Sequence, residues 1–254
     1  VTARGCFLSY PKIPGTTFYQ SGSLAEFERL MAWLSCTLWK TVDAPAEEIR
    51  SRCRAFYGEK THQRVAALRE KWGSSGFQAA ERTRFEGVTT PGTDELLARV
   101  PWDRLFQGVP VRFHGDLQFD NVIRTDTGFA LVDWRTDFGG AVHWGDQRYD
   151  LAKLLGGIRM NYFDVKKNKF NYEERGGEAV LTVPVASEAA ALESRLKTWC
   201  EKSGFDWATL EWIVALIYLN MAPLHQAPFD RLLFVLARKR LWDLIQANAR
   251  AKAA

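Results

Sequence analysis

A chain of 254 residues with 46% hydrophobic and 25% charged residues has the composition of a globular protein able to bury a large core, as one big domain or two small ones, and excludes a disordered class. The net charge of +4 is mild and its Lys and Arg residues are scattered, which suits an anionic small ligand and argues against nucleic acid as a partner. Cys6, Cys36, Cys53 and Cys200 form no Cys-x-x-Cys pair, no signal peptide is recognised, and the most apolar run, around 212–219, is short of the roughly 20 residues of a membrane helix. No zinc site, disulfide framework or membrane span is therefore expected, and a reducing cytoplasm is the expected setting.

In chain order, Cys6-Phe7-Leu8-Ser9-Tyr10 predicts a strand that Pro11, Pro14 and Gly15 end and turn. Ser23-Leu24-Ala25-Glu26 has the form of a capping box, so a helix should begin there, and Leu24, Phe27, Leu30, Met31, Leu34 and Leu38 mark its buried face. Pro45 opens a second helix that Gly58 is expected to end; a third, over 59–72, is expected to close at Gly73. Met31, Trp33 and Trp39 sit at helical spacing, the pattern of packing rather than of a ligand site. Gly, Ser and Thr make 74–92 a loop-rich connection, 93–106 has helical character despite Pro101, and 109–113 reads as a short strand.

The next stretch carries the chemistry. His114-Gly115-Asp116-Leu117-Gln118-Phe119-Asp120-Asn121 is followed by a predicted hairpin that turns at Asp126-Thr127-Gly128 and ends in Phe129-Ala130-Leu131-Val132-Asp133. An Asp, an Asn five residues on and a second Asp after an apolar strand form a phosphoryl-transfer arrangement, in which Asp116 receives a hydroxyl proton and Asn121 and Asp133 hold Mg²⁺ and with it the nucleotide. Charge is the reason: a triphosphate needs divalent cations, and hard cations take carboxylate and amide oxygens. Asp116 has to stand within hydrogen-bond reach of the acceptor oxygen. His114 is read as fixing the loop, and Asp120 as a loop hydrogen-bonder. Asp137-Phe138-Gly139 spells a kinase metal motif but lies beyond the strand end, whereas Asp133 directly follows it, so Asp137 is rejected as the metal ligand.

Arg135, Arg148, Lys153 and Arg159 follow closely; one or two could meet an acceptor bearing phosphate or carboxylate, the bland reading being pairing with nearby Asp residues or exposure to water. Spaced aromatics over 162–185 suggest a hairpin insertion with Lys166-Lys167-Asn168-Lys169 at its tip. Three final helices are expected over 188–203, 206–221 and 230–251, the middle one apolar on nearly all sides.

His-Gly-Asp-Leu-x-x-x-Asn over 114–121, Leu131-Val132-Asp133-Trp134, and Gly145-Asp146-Gln147-Arg148-Tyr149-Asp150-Leu151-Ala152-Lys153 together resemble the aminoglycoside phosphotransferase and choline kinase superfamily. The Asp150-Leu151-Ala152-Lys153 ending and the entry over 12–19 look most like phosphotransferases of bacterial surface-polysaccharide gene clusters. The resemblance implies an α+β, mainly α-helical fold: a protein-kinase-like C-terminal lobe over 21–254 with short β-hairpins at the catalytic loop, preceded over 1–20 by the last strand of an N-terminal lobe and its hinge. It implies that Asp146 and Asp150 brace the catalytic loop or cap the following helix. It also implies a Gly-rich loop and a strand Lys upstream of residue 1, so the chain alone is expected to hold Mg-ATP no better than millimolar and to transfer little.

The expected function is transfer of a phosphoryl group from ATP, with Mg²⁺, to a hydroxyl of a small molecule, a sugar-type metabolite first. Choline or ethanolamine is the alternative acceptor, since ten Trp residues permit an aromatic cage without placing one. A non-catalytic kinase-like binding module is the alternative of another class.

Overall fold

The computed structural model describes the backbone of residues 2–4, 7–9 and 12–253, with side chains over 12–251. The chain is a mixed α+β protein, mainly helical, with four small sheets among the described residues. Strands β1 (Thr2–Arg4) and β2 (Phe7–Ser9) form an antiparallel hairpin; of the strand expected over 6–10, residues 6 and 10 lie outside the described residues. Strand β3 (Thr16–Thr17) runs into one helical turn, α1 (Phe18–Ser21). Helix α2 (Leu24–Thr37) starts where the capping residue demands: the Ser23 hydroxyl accepts from the Glu26 N–H at 3.3 Å, and Phe27, Leu30, Met31 and Leu34 are buried.

Helix α3 (Ala46–Cys53) begins after Pro45 but does not end at Gly58; it passes through a π-helical turn, Arg54–Glu59, directly into α4 (Lys60–Arg82). Gly73 does not close α4 either. It takes φ 67° and kinks the helix, which runs on to Arg82 through what reads in sequence as loop. The kink is tolerated because Val65 and Leu68 before it and Phe77 and Ala80 after it are all buried in one core. Strand β4 (Arg84–Phe85) and two short helices, α5 (Thr93–Ala98) and α6 (Trp102–Leu105), lead to β5 (Pro110–Val111).

A 3₁₀ turn at Phe119–Asn121 opens the hairpin of β6 (Val122–Thr125) and β7 (Gly128–Leu131), and β3 adds to its edge in the order β3-β6-β7. Phe119 packs against Phe18, Tyr19 and Phe27, so the turn before the hairpin is pinned to α1 and α2. Strand β8 (Gly145–Asp146) pairs with β5 and delivers α7 (Gln147–Arg159), whose residues from Arg148 to Ile158 are all buried.

After α8 (Tyr162–Val165), β9 (Asn171–Arg175) and β10 (Glu178–Thr182) make a hairpin that turns at Gly176-Gly177; the Lys166–Lys169 run sits in the turn leading into it, not at its tip. β10 also pairs in parallel with β4. Three helices close the chain: α9 (Ala189–Lys202), α10 (Trp207–Met221) and α11 (Phe229–Ala253). The stretch Trp207–Leu224 has the length and apolarity of a membrane span, but 61% of it is buried within the protein, as in a core helix packed between α7 and α11.

Candidate active site

The β6–β7 hairpin brings the ends of the two sequence motifs together. Val122 pairs with Leu131, and beyond that pair the Val132 N–H donates to the Asn121 carbonyl at 3.1 Å, so Asn121 and Asp133 lie at one end of adjacent strands. Asp133 takes φ 56°, a left-handed conformation that Asp visits more readily than most side chains and that turns the chain sharply out of the strand. Its side chain is exposed, that of Asn121 buried. Among the described residues no donor is bonded to Asn121 Oδ1 or to the Asp133 carboxylate.

Asp116 is held from three sides. The Asn121 amide donates to the Asp116 carbonyl at 2.8 Å and to its Oδ2 at 3.3 Å, and Lys153 Nζ, from α7, stands 2.7 Å from Oδ1. Burial alone would raise the Asp116 carboxyl; the Lys153 ammonium, with Arg135 beyond it, overrides that and holds it below the ordinary carboxylate value. Lys153 is driven the other way: burial would lower it, but the negative charge around it raises it above the ordinary lysine value. The pair is therefore ionic at neutral pH, and Asp116 is in its proton-accepting form.

His114 bridges the two halves of the site. Its Nε2 lies 2.7 Å from the Val132 carbonyl, and its Nδ1 accepts from the Asp116 N–H at 3.2 Å, which requires the neutral Nε2–H tautomer. Burial lowers its basicity in the same sense, only partly opposed by the Val132 carbonyl and by Asp116. The ring thus ties the residue before Asp133 to the backbone of Asp116, while Trp134 lies 4.8 Å from it.

Helix α7 supplies the frame. Asp150, fully buried, accepts from the His114 and Gly115 N–H groups at 2.9 and 2.8 Å and from Trp39 Nε1 at 3.1 Å; burial pushes its carboxyl up to about 6 against those three donors. Asp146 caps α7 through the Arg148 N–H at 3.0 Å, accepts from the Tyr57 hydroxyl at 2.9 Å, and pairs with the Arg148 guanidinium, whose Nη1 donates to the Arg104 carbonyl and whose Nη2, shared with Asp146, donates to that of Leu105. One carboxylate thus fixes where α7 starts, and a second, one turn on, fixes the catalytic loop to it.

Arg159 is committed to Glu193 and Glu211, and Asp120 to Lys166 at 2.7 Å. Asp137 closes a tight turn by accepting from the Gly140 N–H at 2.9 Å, with Phe138 fully buried among Phe56, Phe113 and Trp144. Asp137-Phe138-Gly139 is thus a packing element of the loop beyond the strand.

Asp116 also faces a cavity of about 500 Å³ that sequence reasoning did not foresee. Lys60 and Arg64 from α4 and Arg135 line it together with Lys153, Tyr149, Tyr162 and Phe229. Only the i,i+4 spacing of Lys60 and Arg64 on a helix face could have signalled that side of it. Neither Asn121 nor Asp133 lines the cavity; Asp116 does, and it is bonded to Asn121.

A model of the phosphotransferase enzyme family, APH, matches residues 5–213, which include His114, Asp116, Asn121, Asp133, Asp150 and Lys153. The chain belongs to that family. The match covers the aminoglycoside phosphotransferase and choline kinase type recognised in the sequence, and it makes the chain a kinase-like phosphotransferase. No curated protein matches the chain, and no solved structure matches it.

Proposed function

We propose that this phosphotransferase moves the γ-phosphoryl group of ATP, with Mg²⁺, to a hydroxyl of a small sugar-type metabolite, in a kinase-like C-terminal lobe. The observation that carries the proposal is the placing of the Asp116 carboxylate: held by Asn121 and Lys153, and set between a half-open cavity and an end of a hairpin that offers unpaired oxygens.

Those oxygens fit a hard divalent cation. The Asn121 amide spends its N–H on Asp116, which leaves Oδ1 for a metal, and Asp133 presents a carboxylate without a protein donor. Asn121 and Asp133 would hold Mg²⁺, whose charge would offset that of the triphosphate. Asp116 orients the acceptor hydroxyl by accepting its hydrogen bond. The acceptor oxygen forms a bond to the γ-phosphorus as the bond to the β,γ-bridging oxygen breaks; that oxygen leaves with the electron pair on ADP, and the hydroxyl proton passes to the Asp116 carboxylate. Lys153 keeps Asp116 ionised and fixes its rotamer until then. The test is transfer from millimolar Mg-ATP to a panel of neutral, anionic and cationic polyols, followed by ³¹P NMR; transfer that persists in Asp116→Asn would sink the assignment.

A further inference from the structure

The cations around the cavity outnumber what the protein's own acids neutralise. Five of them line it, Lys60, Arg64, Arg135, Lys153 and Lys166, against a single carboxylate, that of Asp116. Lys153 is paired with Asp116 and Lys166 with Asp120. Among the described residues, Lys60, Arg64 and Arg135 have no carboxylate within ion-pair distance. Lys60 and Arg135 instead lie against one aromatic ring, that of Phe56, at 3.9 and 5.3 Å from its centre. Arg135 is oriented by its Nε–H bond to the Gly115 carbonyl at 2.9 Å, which leaves its terminal nitrogens free.

Three basic groups without a carboxylate at ion-pair distance crowd a half-buried space, and their mutual repulsion falls most heavily on Lys60. Burial first, then Arg135, Lys153 and Arg64, push the Lys60 ammonium down to about 7 against the opposing charge of Asp137. The other walls, Tyr149, Tyr162 and Phe229, offer apolar and hydroxyl surface of the kind that packs on a sugar ring.

We infer that the acceptor is itself an anion: a hydroxylated molecule of about monosaccharide size whose phosphate or carboxylate group is held by Lys60, Arg64 and Arg135, with a hydroxyl turned towards Asp116. This rests on the phosphotransferase reading above and adds the charge class of its substrate. An amine or quaternary ammonium acceptor would enter a space already positive, with no carboxylate but the paired Asp116 to meet it. The Asn121 and Asp133 oxygens are not part of the cavity lining, so this inference puts the triphosphate on the hairpin side of Asp116 and leaves the cavity's cations to the acceptor.

Calorimetry on the full 254-residue chain, with inorganic phosphate, acetate, glucose 6-phosphate, glucuronate, glucose and glucosamine, tests this. Phosphate or acetate should bind, the matching sugar anion should bind more tightly than either, and glucose and glucosamine should bind at least tenfold more weakly. The phosphate and acetate arms show which anion the cations prefer. The double variant Lys60→Met, Arg64→Gln should weaken the anions at least tenfold and leave glucose unchanged. Near pH 8, binding measured in two buffers of different ionisation enthalpy should show proton uptake that Lys60→Met abolishes. Equal affinity for glucose and glucose 6-phosphate, unaltered anion binding in the double variant, or displacement of the bound anion by Mg-ADP would each overturn the inference. The two readings fail separately: Asp116-dependent transfer to a neutral sugar without anion preference sinks only the anion site, whereas anion binding without transfer to any hydroxyl sinks only the phosphotransfer assignment.

Discussion

Replacing Asp116 by Asn should damage stability and turnover by different routes, and a second substitution separates them. The Lys153 side chain is 10% exposed and that of Asp116 29%, with Nζ 2.7 Å from Oδ1. Removing one partner of a fully buried pair costs about 3–5 kcal/mol; scaled down for the partial exposure of Asp116, about 1–3 kcal/mol is expected here. At about 2–4 °C per kcal/mol for a chain of this size, the melting temperature of Asp116→Asn should fall by roughly 2–12 °C. Adding Lys153→Met removes the stranded ammonium and keeps a side chain of similar length, so most of that loss should return. Turnover should not return: both variants should transfer phosphate about 10²–10⁴-fold more slowly, because no proton acceptor remains. The pH dependence has a definite sign. The folded Asp116 carboxyl lies below its unfolded value, so the pair's stabilisation is present above the unfolded value and lost as pH falls through the folded one. The difference in melting temperature between wild type and Asp116→Asn should therefore shrink in acid. Scanning calorimetry from acid to neutral pH, with ³¹P NMR for transfer, makes the measurement. A double variant no more stable than Asp116→Asn would mean that the ion pair does not account for the loss, and turnover within tenfold of wild type would remove Asp116 from the chemistry.

Three further outcomes are expected. Asp133→Ala should weaken Mg²⁺-dependent nucleotide binding at least tenfold while Asp137→Ala changes it less than twofold, measured by titrating Mg²⁺ at fixed ATP; the reverse order would place the metal in the wrong loop. Lys60 titrates near 7 in the folded chain against 10.5 when free, so wild-type stability is lost as pH falls from the free value to about 7; Lys60→Met should raise the melting temperature below pH 7 and converge on wild type towards pH 10.5. Gly115 takes φ 81°, and a Cβ there would lie 2.5 Å from Arg135 Cβ, so Gly115→Ala should both destabilise the fold and displace Arg135, read as a lower melting temperature together with weaker phosphate binding.

The features legible in the sequence are those set by neighbours along the chain. Ser23 starts its helix because its hydroxyl meets an N–H three residues on, and Asn121 and Asp133 meet because a short hairpin joins them. Gly58 and Gly73 misled for the complementary reason: a glycine weakens a helix locally, but α3 and α4 are held by distant partners, and burial on both sides of Gly73 carries the helix across it. Lys153 stood out only as one of four cations after the second motif. Its pairing with Asp116 depends on α7 packing under the catalytic loop, whereas Arg148 and Arg159 proved to be taken up by acids. Lys60 and Arg64 carry no local signal beyond their i,i+4 spacing, since a cavity wall exists only once α4, α7 and the turn before α11 have closed on one another.

The division of labour around Asp116 bears on how such a protein could be re-engineered. What aims the Asp116 carboxylate comes from α7 and the loop it grips, through Asp150, Lys153, Asn121 and the neutral His114 ring. Much of what surrounds the far end of the cavity comes from α4, α8 and residues 224–229, which make none of those contacts. Shapes on that wall can therefore be exchanged with little effect on Asp116, whereas a charge changed at Lys60 or His225 is felt by Lys153 and through it by Asp116. A library confined to uncharged substitutions at positions 224, 227 and 229 should change which molecule is phosphorylated while leaving how it is phosphorylated intact.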